Sequence, residues 1–202
     1  MNLLAIETSV PHASLCLSVA GDVVFSTAWL AERNHDAHLF PALQQAMDML
    51  GNQPLDYVLV GSGPGSYGGV RVALAAGVGI ATVTGAKLVA VESWAQLADG
   101  ESCVIADARR GGWTVRFPDG RIDVLTPDEV KALPYPLIST EQPGRIEAHI
   151  KQEGAVPTAK GISDTWLAMS PEQQQAAALK PAEPIYVRPP HITAAVRKPW
   201  EI

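Results

Sequence analysis

The first hundred residues carry short apolar runs separated by polar turns, a pattern typical of β-strands. Three runs near the start predict consecutive strands, at residues 3–6, 13–19 and 23–29. Ala20-Gly21-Asp22 lies between the last two runs and predicts a hairpin turn. Two later runs predict further strands, at 56–60 and 88–91. The pattern therefore predicts five strands in the first half of the chain.

Helical spacing lies between these strands. Apolar residues recur every three or four positions from Asp36 to Leu50, with Asn34 as a candidate N-cap and Gly51 as the stop. A second helix is predicted from about Val70 to Thr84, and a short one over 92–97. The resulting order, βββ-α-β-α-β-α, is typical of an α/β fold.

After Gly100 the pattern begins again. A strand-like run ends at Asp107, in the place that Glu7 holds earlier, and Pro118-Asp119-Gly120 supplies a second hairpin turn. We therefore expect two related halves, residues 1–100 and 101–202. Beyond Thr126 the second copy is degraded, and the remaining predictions are a helix at 127–132, a strand at 136–140, a helix from 171 and an extended tail.

The segment GSGPGSYGGVR, residues 61–71, joins a predicted strand to a predicted helix, as phosphate-binding loops do. A P-loop is excluded because Gly69 and Val70 stand where Lys and Ser/Thr are needed. A dinucleotide fingerprint fits Gly63, Gly65 and Gly68 and the later acid Glu92, but it lies in mid-chain after three strands.

A nucleophile elbow would need glycine at position 64, which is Pro64. The structural alternative is a tight glycine turn that lets the helix pack closely on its strand. The motif alone leaves the dinucleotide site and this turn open.

The two predicted helices carry more apolar surface than one small domain needs. Residues 72–86 hold no charge, and a helix that is apolar all round is buried all round. Phe40 and Met47 lie off the main apolar stripe of the first helix. These features predict a protein–protein interface; the alternative is burial under the second half of the chain.

Composition narrows the class of protein. The 202 residues are 47% hydrophobic and 18% charged, which is typical of a globular chain. A net charge of −6 disfavours binding nucleic acid alone, because phosphate neutralisation supplies most of that affinity. Cys16 and Cys103 make no disulfide framework or zinc set. We see neither a secretory signal nor an uncharged run of about 20 residues, so we expect a cytoplasmic protein without a membrane span.

Four sequence blocks together resemble the bacterial TsaB family, also called YeaZ. In chain order they are LLAIETS, GSGPGSYGGVRVALAAGVGIA, IADARRGG and PIYVR. The family has threonine after the aromatic residue of the glycine loop, where this chain has Gly68. The resemblance implies an actin/Hsp70/sugar-kinase-like (ASKHA) fold of two related α/β halves.

The resemblance also implies a function without catalysis by this chain. Family members pair with a catalytic paralogue, TsaD, which transfers a threonylcarbamoyl group to the adenosine that follows the anticodon of tRNA. The pairing uses the two helices here predicted near 36–50 and 70–84, and a TsaE-type ATPase joins the complex. We expect the chain to contact tRNA only indirectly. When the chain is free, we expect it to form a homodimer through the same helices.

We expect three groups of site residues and no metal or cofactor. The expected partner-binding residues are His35, Phe40, Met47, Arg71, Val72, Ala76 and Ile80. The loop residues are Gly63, Pro64, Gly65, Ser66 and Gly69. Remnants of the fold's phosphate site are Glu7, Thr8, Ser9 and Asp107.

Two other functions compete with this interpretation. One is a nucleotide-dependent enzyme of the same fold. The other is a metallopeptidase, for which His35-Asp36-Ala37-His38 is the only candidate metal pair, although catalysis needs a third ligand. A basic tail is expected to contact tRNA within the complex, through Arg188, His191, Arg197 and Lys198.

Overall fold

Two five-stranded sheets form the framework of the computed structural model, which describes residues 1–31, 36–146 and 148–187. Sheet A has the order β3-β2-β1-β4-β5. Its strands are β1 Leu3–Glu7, β2 His12–Val19, β3 Asp22–Leu30, β4 Tyr57–Gly61 and β5 Lys87–Val91. Strands β1, β4 and β5 run parallel, and β2 and β3 form antiparallel pairs beside them.

Sheet B repeats this arrangement with shorter strands, in the order β8-β7-β6-β9-β10. Its strands are β6 Cys103–Asp107, β7 Trp113–Arg116, β8 Ile122–Leu125, β9 Leu137–Ser139 and β10 Ile150–Gln152. Each strand of sheet B has the same neighbours and directions as its counterpart in sheet A. The predicted duplication into two α/β halves is confirmed, and Asp107 ends β6 as Glu7 ends β1.

Among the described residues, the second copy keeps only one short helix between the strands that correspond to the helix-linked strands of sheet A. Helices α1 Asp36–Leu50 and α2 Tyr67–Thr84 link the strands of sheet A. Between β8 and β9 there is only α3, Pro127–Lys131, and no described helix lies between β9 and β10. This loss explains why the hydrophobic pattern fades after Thr126.

Helices cover both faces of sheet A. On one face, α1 and α2 bury Leu39 and Ala73 against the alternate strand residues Leu4 and Leu15. On the other face lie α4 Ala159–Leu167 and α5 Pro171–Ala178. The fully buried Trp166 of α4 packs there with the opposite set of strand side chains. Strands β1, β2 and β4 are buried on both faces along most of their length, whereas the edge strand β3 stays largely exposed.

Helix α4 was missed from the sequence, although it belongs to the core. The Thr158 hydroxyl caps it by accepting from the Gly161 N–H, and the Ala159 N–H donates to Ser14 Oγ of β2 at 2.8 Å. The chain thus returns to the first sheet after completing the second. The boundary expected near residue 100 separates the two sheets, but the first sheet is covered by helices from both sides of that boundary.

Two helix boundaries predicted from sequence were wrong. Helix α2 begins at Tyr67 instead of Val70, because the Ser66 side chain accepts from the Gly69 N–H and caps it. Gly69, assigned to the loop, is therefore a helix residue. The short helix expected over 92–97 is a single 3-10 turn, Ala95–Leu97.

Glycine 77 sets the distance between α2 and sheet A. A Cβ atom at Gly77 would lie 2.6 Å from Val60 Cγ1 and 2.9 Å from Leu88 Cδ1, whereas one at Gly79 would meet nothing within 4 Å. We expect Gly77→Ala to lower the free energy of unfolding by about 1–3 kcal/mol through overpacking. Gly79→Ala, on the open face, should raise it by about 0.5–1 kcal/mol.

Urea denaturation of the two variants and the wild type checks this pair. Because both changes add one methyl group to the same helix, equal effects of the two substitutions would contradict the packing argument.

Candidate functional site

An apolar groove runs between α1 and α2 on the outside of the first half. It encloses about 530 Å³ and carries no charged side chain. Its lining is Leu39, Phe40, Leu43, Gln44, Met47, Val72, Ala75, Ala76, Gly79 and Ile80. Gln44 contributes the only polar side chain of that set. The groove is the apolar surface that the sequence analysis predicted.

Several of these side chains are open to solvent. Phe40 is 60% exposed, and Ala75 and Gly79 are exposed on α2. Helix α1 packs on β2 and β3, and α2 packs on β1, β4 and β5. Within the described residues, neither helix is covered by the second half. The alternative of burial under that half was therefore wrong.

The expected partner-binding residues separate into three groups. Five of them line the groove: Phe40, Met47, Val72, Ala76 and Ile80. Arg71 lies outside the groove; its guanidinium stacks 5.2 Å from the Tyr67 ring centroid and donates to Tyr67 Oη at 3.1 Å. His35 lies outside the described residues. Ala75 and Gly79 also line the groove, and their small size keeps it open.

Helix α2 is the one described helix with the length and composition of a membrane span. Its inner face, however, is packed on sheet A through Val70, Ala73 and Gly77. Its outer face is the wall of the groove. A core side and a groove side therefore account for much of the apolar surface of α2 after Arg71.

A second cavity, of about 750 Å³, lies between the two halves. Ser9 and the segment Gly65–Tyr67 line it from the first half, and Asp107, Arg109 and Glu141 line it from the second. Two buried groups at this cleft, Ser9 Oγ and Trp94 Nε1, have no hydrogen-bond partner among the described residues. A polar ligand entering the cleft would meet these two groups.

The glycine loop uses its own amides to fix its shape. The Gly63 N–H donates to Ser93 Oγ at 3.0 Å, and the Ser66 N–H donates to the Ser9 carbonyl at 2.6 Å. The Ser62 N–H donates to the Val91 carbonyl at 2.9 Å. A phosphate cradle needs such N–H groups free and directed at the ligand. The structure therefore favours the tight-turn interpretation of the loop.

Glu7 ends β1, where an ASKHA-type phosphate site would place an acid, but it does not line the cleft. Its carboxyl is fully buried against the Cα of Gly61, where any larger residue would overlap it. Oε1 accepts from the Ser9 N–H at 2.6 Å, whereas Oε2 has no partner among the described residues. Burial raises the pKa of Glu7, opposed by the nearby Ser9 and Ser93 hydroxyls.

The other three predicted remnants are placed differently. Thr8 is buried and donates its hydroxyl to the Gly69 carbonyl at 2.7 Å, so it fixes α2. Ser9 and Asp107 face the cleft from opposite halves. Asp107 accepts from the Arg145 guanidinium at 3.1 Å and from the Arg109 N–H at 2.7 Å. Only two of the four remnants therefore share one cavity.

Glu92, the acid expected to bind a ribose in a dinucleotide site, has another role. It follows β5 in the first half and forms a part-buried ion pair with Arg116 at the end of β7. Burial raises the pKa of Glu92, opposed by Arg116. The Glu92 carboxylate therefore links the two halves. It is not available to bind the ribose of a dinucleotide, which disfavours the dinucleotide interpretation.

The His-x-x-His pair cannot be completed from the described residues. His38 is exposed and stacks on Trp29 with ring centroids 6.3 Å apart, while His35 lies outside the described part of the chain. Among described residues, no three His, Cys, Asp or Glu side chains are grouped as a metal site.

Comparison with known proteins gives the family. A family model described as TsaD, tRNA N6-adenosine threonylcarbamoyltransferase, matches residues 27–130, half of the chain. Protein TsaB of tRNA threonylcarbamoyladenosine biosynthesis from Bacillus subtilis (strain 168) is 29% identical over 140 residues, 64% of this chain and 61% of that protein. The chain belongs to the TsaB/YeaZ family. Both the family model and the Bacillus relative carry names from tRNA threonylcarbamoyladenosine biosynthesis.

Solved structures of TsaB/YeaZ proteins have the same architecture. YeaZ from Pseudomonas aeruginosa aligns with a TM-score of 0.70 and 24% identity over 92% of this chain and 99% of that chain. Another structure, of a protein described as similar to YEAZ from that organism, aligns with a TM-score of 0.68 and 25% identity over 93% and 99%. The ASKHA-like fold expected from the resemblance is confirmed. The chain spans 61% of the Bacillus TsaB sequence that it matches.

We expect Glu7→Gln to remove a pH dependence of stability. The unfolded carboxyl has a pKa of 4.5 and the folded one a higher pKa. Above pH 4.5 the folded chain therefore keeps a proton that the unfolded chain loses, and wild-type stability falls as the pH rises through that window. The uncharged variant should match the wild type near pH 4.5 and be more stable at about pH 8.

Urea denaturation across this pH range measures the difference between the two proteins. Glu101→Gln, which removes an exposed carboxylate, is the control and should leave the pH dependence as in the wild type. A Glu7→Gln curve parallel to the wild type would contradict a raised pKa for the buried Glu7 carboxyl.

Proposed function

We propose that this chain is a non-catalytic subunit that binds a TsaD-type catalytic paralogue and supports threonylcarbamoyl transfer to tRNA. The observation that carries the proposal is the uncharged groove between α1 and α2. A partner of the same fold would present its own pair of helices, and the two pairs would bury each other's apolar faces in a four-helix contact. Exposed apolar surface of this kind stabilises association once it is removed from water.

The shape of the groove suits helices as occupants. Ala75 and Gly79 leave a shallow strip along α2, so another backbone can approach closely there. Phe40 and Met47 project from α1 beside this strip and would serve as anchors. A shallow strip beside large apolar anchors is the geometry that helix–helix packing requires.

The cleft between the halves supports the non-catalytic part of the proposal. The amides of Ser62, Gly63 and Ser66 are bonded within the chain, and Glu7 is buried away from the cavity. Catalysis would then reside in the paralogue. The net charge of −6 fits a subunit that meets tRNA only through the complex.

Further partners follow from the same surface. A TsaE-type ATPase would join the assembled pair, and a second copy of this chain would cover the groove when the paralogue is absent. Both associations, and a cytoplasmic location, are part of the proposal.

A nucleotide-dependent enzyme is the second candidate, because the cleft of about 750 Å³ has two unpaired polar groups at Ser9 and Trp94. Calorimetry of the isolated chain with ATP separates the two functions. Micromolar affinity without a partner would favour the enzyme, and no heat of binding would favour the subunit.

We expect Ala75→Glu to abolish association with the paralogue while the chain stays folded. Because position 75 is exposed in the free chain, the new carboxylate should change the free energy of folding little. When a partner covers the groove, the carboxylate must lose its hydrating water, which lowers the affinity. The dissociation constant measured by calorimetry should rise by roughly 30-fold or more, about 2 kcal/mol or more. Formation of the modified nucleoside should fall in parallel.

Val78→Glu is the matched control, because Val78 is 52% exposed on the same helix but does not line the groove. It adds the same charge and should bind as the wild type does. The proposed docking surface would be overturned if both variants lowered the affinity for the paralogue equally, or if neither variant lowered it.

A further inference from the structure

We propose that the glycine loop is a peptide-binding site whose occupant is the chain's own segment 184–187, which acts as a latch on the cleft and on the start of α2. This inference concerns the isolated chain and does not depend on the proposed partner.

The latch is joined to the loop by its backbone. The Ile185 N–H donates to the Ser62 carbonyl at 2.8 Å, between residues far apart in sequence. A Cβ atom at Gly63 would lie 3.5 Å from the Ile185 carbonyl oxygen, so the two backbones run side by side there. Gly63 has φ +90°, a conformation that glycine adopts without strain. The loop thus offers a carbonyl and a bare backbone surface to an extended peptide.

The latch is joined to α2 by a ring. Tyr186 stacks on Tyr67, the first residue of α2, with centroids 5.0 Å apart and planes at 30°. Arg71 lies over the same Tyr67 ring and donates to its hydroxyl. Aromatic stacking and a cation–π contact therefore connect the latch to the first two turns of α2.

The latch also closes one side of the cleft. Ile185, Tyr186 and Val187 line the cavity between the halves, together with Ser9 and Trp94. Residues 181–187 form neither helix nor strand. A segment held by few contacts opens far more often than a strand or a core helix does. Its release would expose the cleft and loosen the helix start in one event.

Hydrogen exchange on the full-length chain tests the latch. We expect Tyr186→Ala to speed amide exchange by about two- to tenfold, both in the tail and in residues 66–71, because the lost stack couples these segments. Tyr186→Phe keeps the ring and is the control, which should exchange as the wild type does. Ile185→Pro removes the N–H donor and leaves the Tyr186 ring in place. It should also speed exchange both in the tail and in residues 66–71.

A thiol placed in the cleft reports the opening directly. Ser9→Cys places the thiol at the wall of the cleft, and the native Cys16 and Cys103 are both buried. Reaction of the introduced thiol with a disulfide reagent should be about two- to tenfold faster when Tyr186→Ala is also present. Faster exchange confined to the tail, with unchanged thiol reactivity, would overturn the latch.

Discussion

The structure depends on the contact of bare glycine backbone with the end of β1. A Cβ atom at Gly69 would overlap the Thr8 carbonyl oxygen, and one at Gly65 would overlap that of Ser9. Two hydrogen bonds fasten the contact, from the Ser66 N–H to the Ser9 carbonyl and from Thr8 Oγ1 to the Gly69 carbonyl. Helix α2 can start this close to the strand only because those positions have no side chain.

This contact decides what the glycine loop can do. In a phosphate-binding loop the amides face a ligand, but here the amides of Ser62, Gly63 and Ser66 are bonded to Val91, Ser93 and Ser9. The same closeness buries Glu7 beneath Gly61, where it is held away from the cleft. Glu7 is therefore not placed to act on a ligand in the cleft, whereas the outer face of α2 is exposed. The molecule thus combines a cleft that lacks the Glu7 carboxyl with an apolar groove on its surface.

The two halves have diverged in a way that fits this division of roles. The first half keeps both of its connecting helices, and these form the groove. The second half keeps its sheet but, among the described residues, has only the short α3 in place of the two connecting helices, and its later chain crosses back as α4 and α5 to cover the far face of sheet A. The Glu92–Arg116 ion pair and the latch at Tyr186 add further connections near the cleft. The second half therefore packs on sheet A from the face opposite the proposed docking surface.

The sequence by itself determined every described strand except β10, the duplication and the existence of an apolar exterior, because these follow from local periodicity and turn residues. It predicted Phe40 and Met47 for the groove because both lie off the core stripe of α1, and Val72, Ala76 and Ile80 because they belong to the uncharged run of α2. Only the tertiary structure revealed that Glu92 forms an ion pair with Arg116 and that α4 packs on the first sheet. Those facts depend on partners tens of residues away, which a hydrophobic pattern does not record.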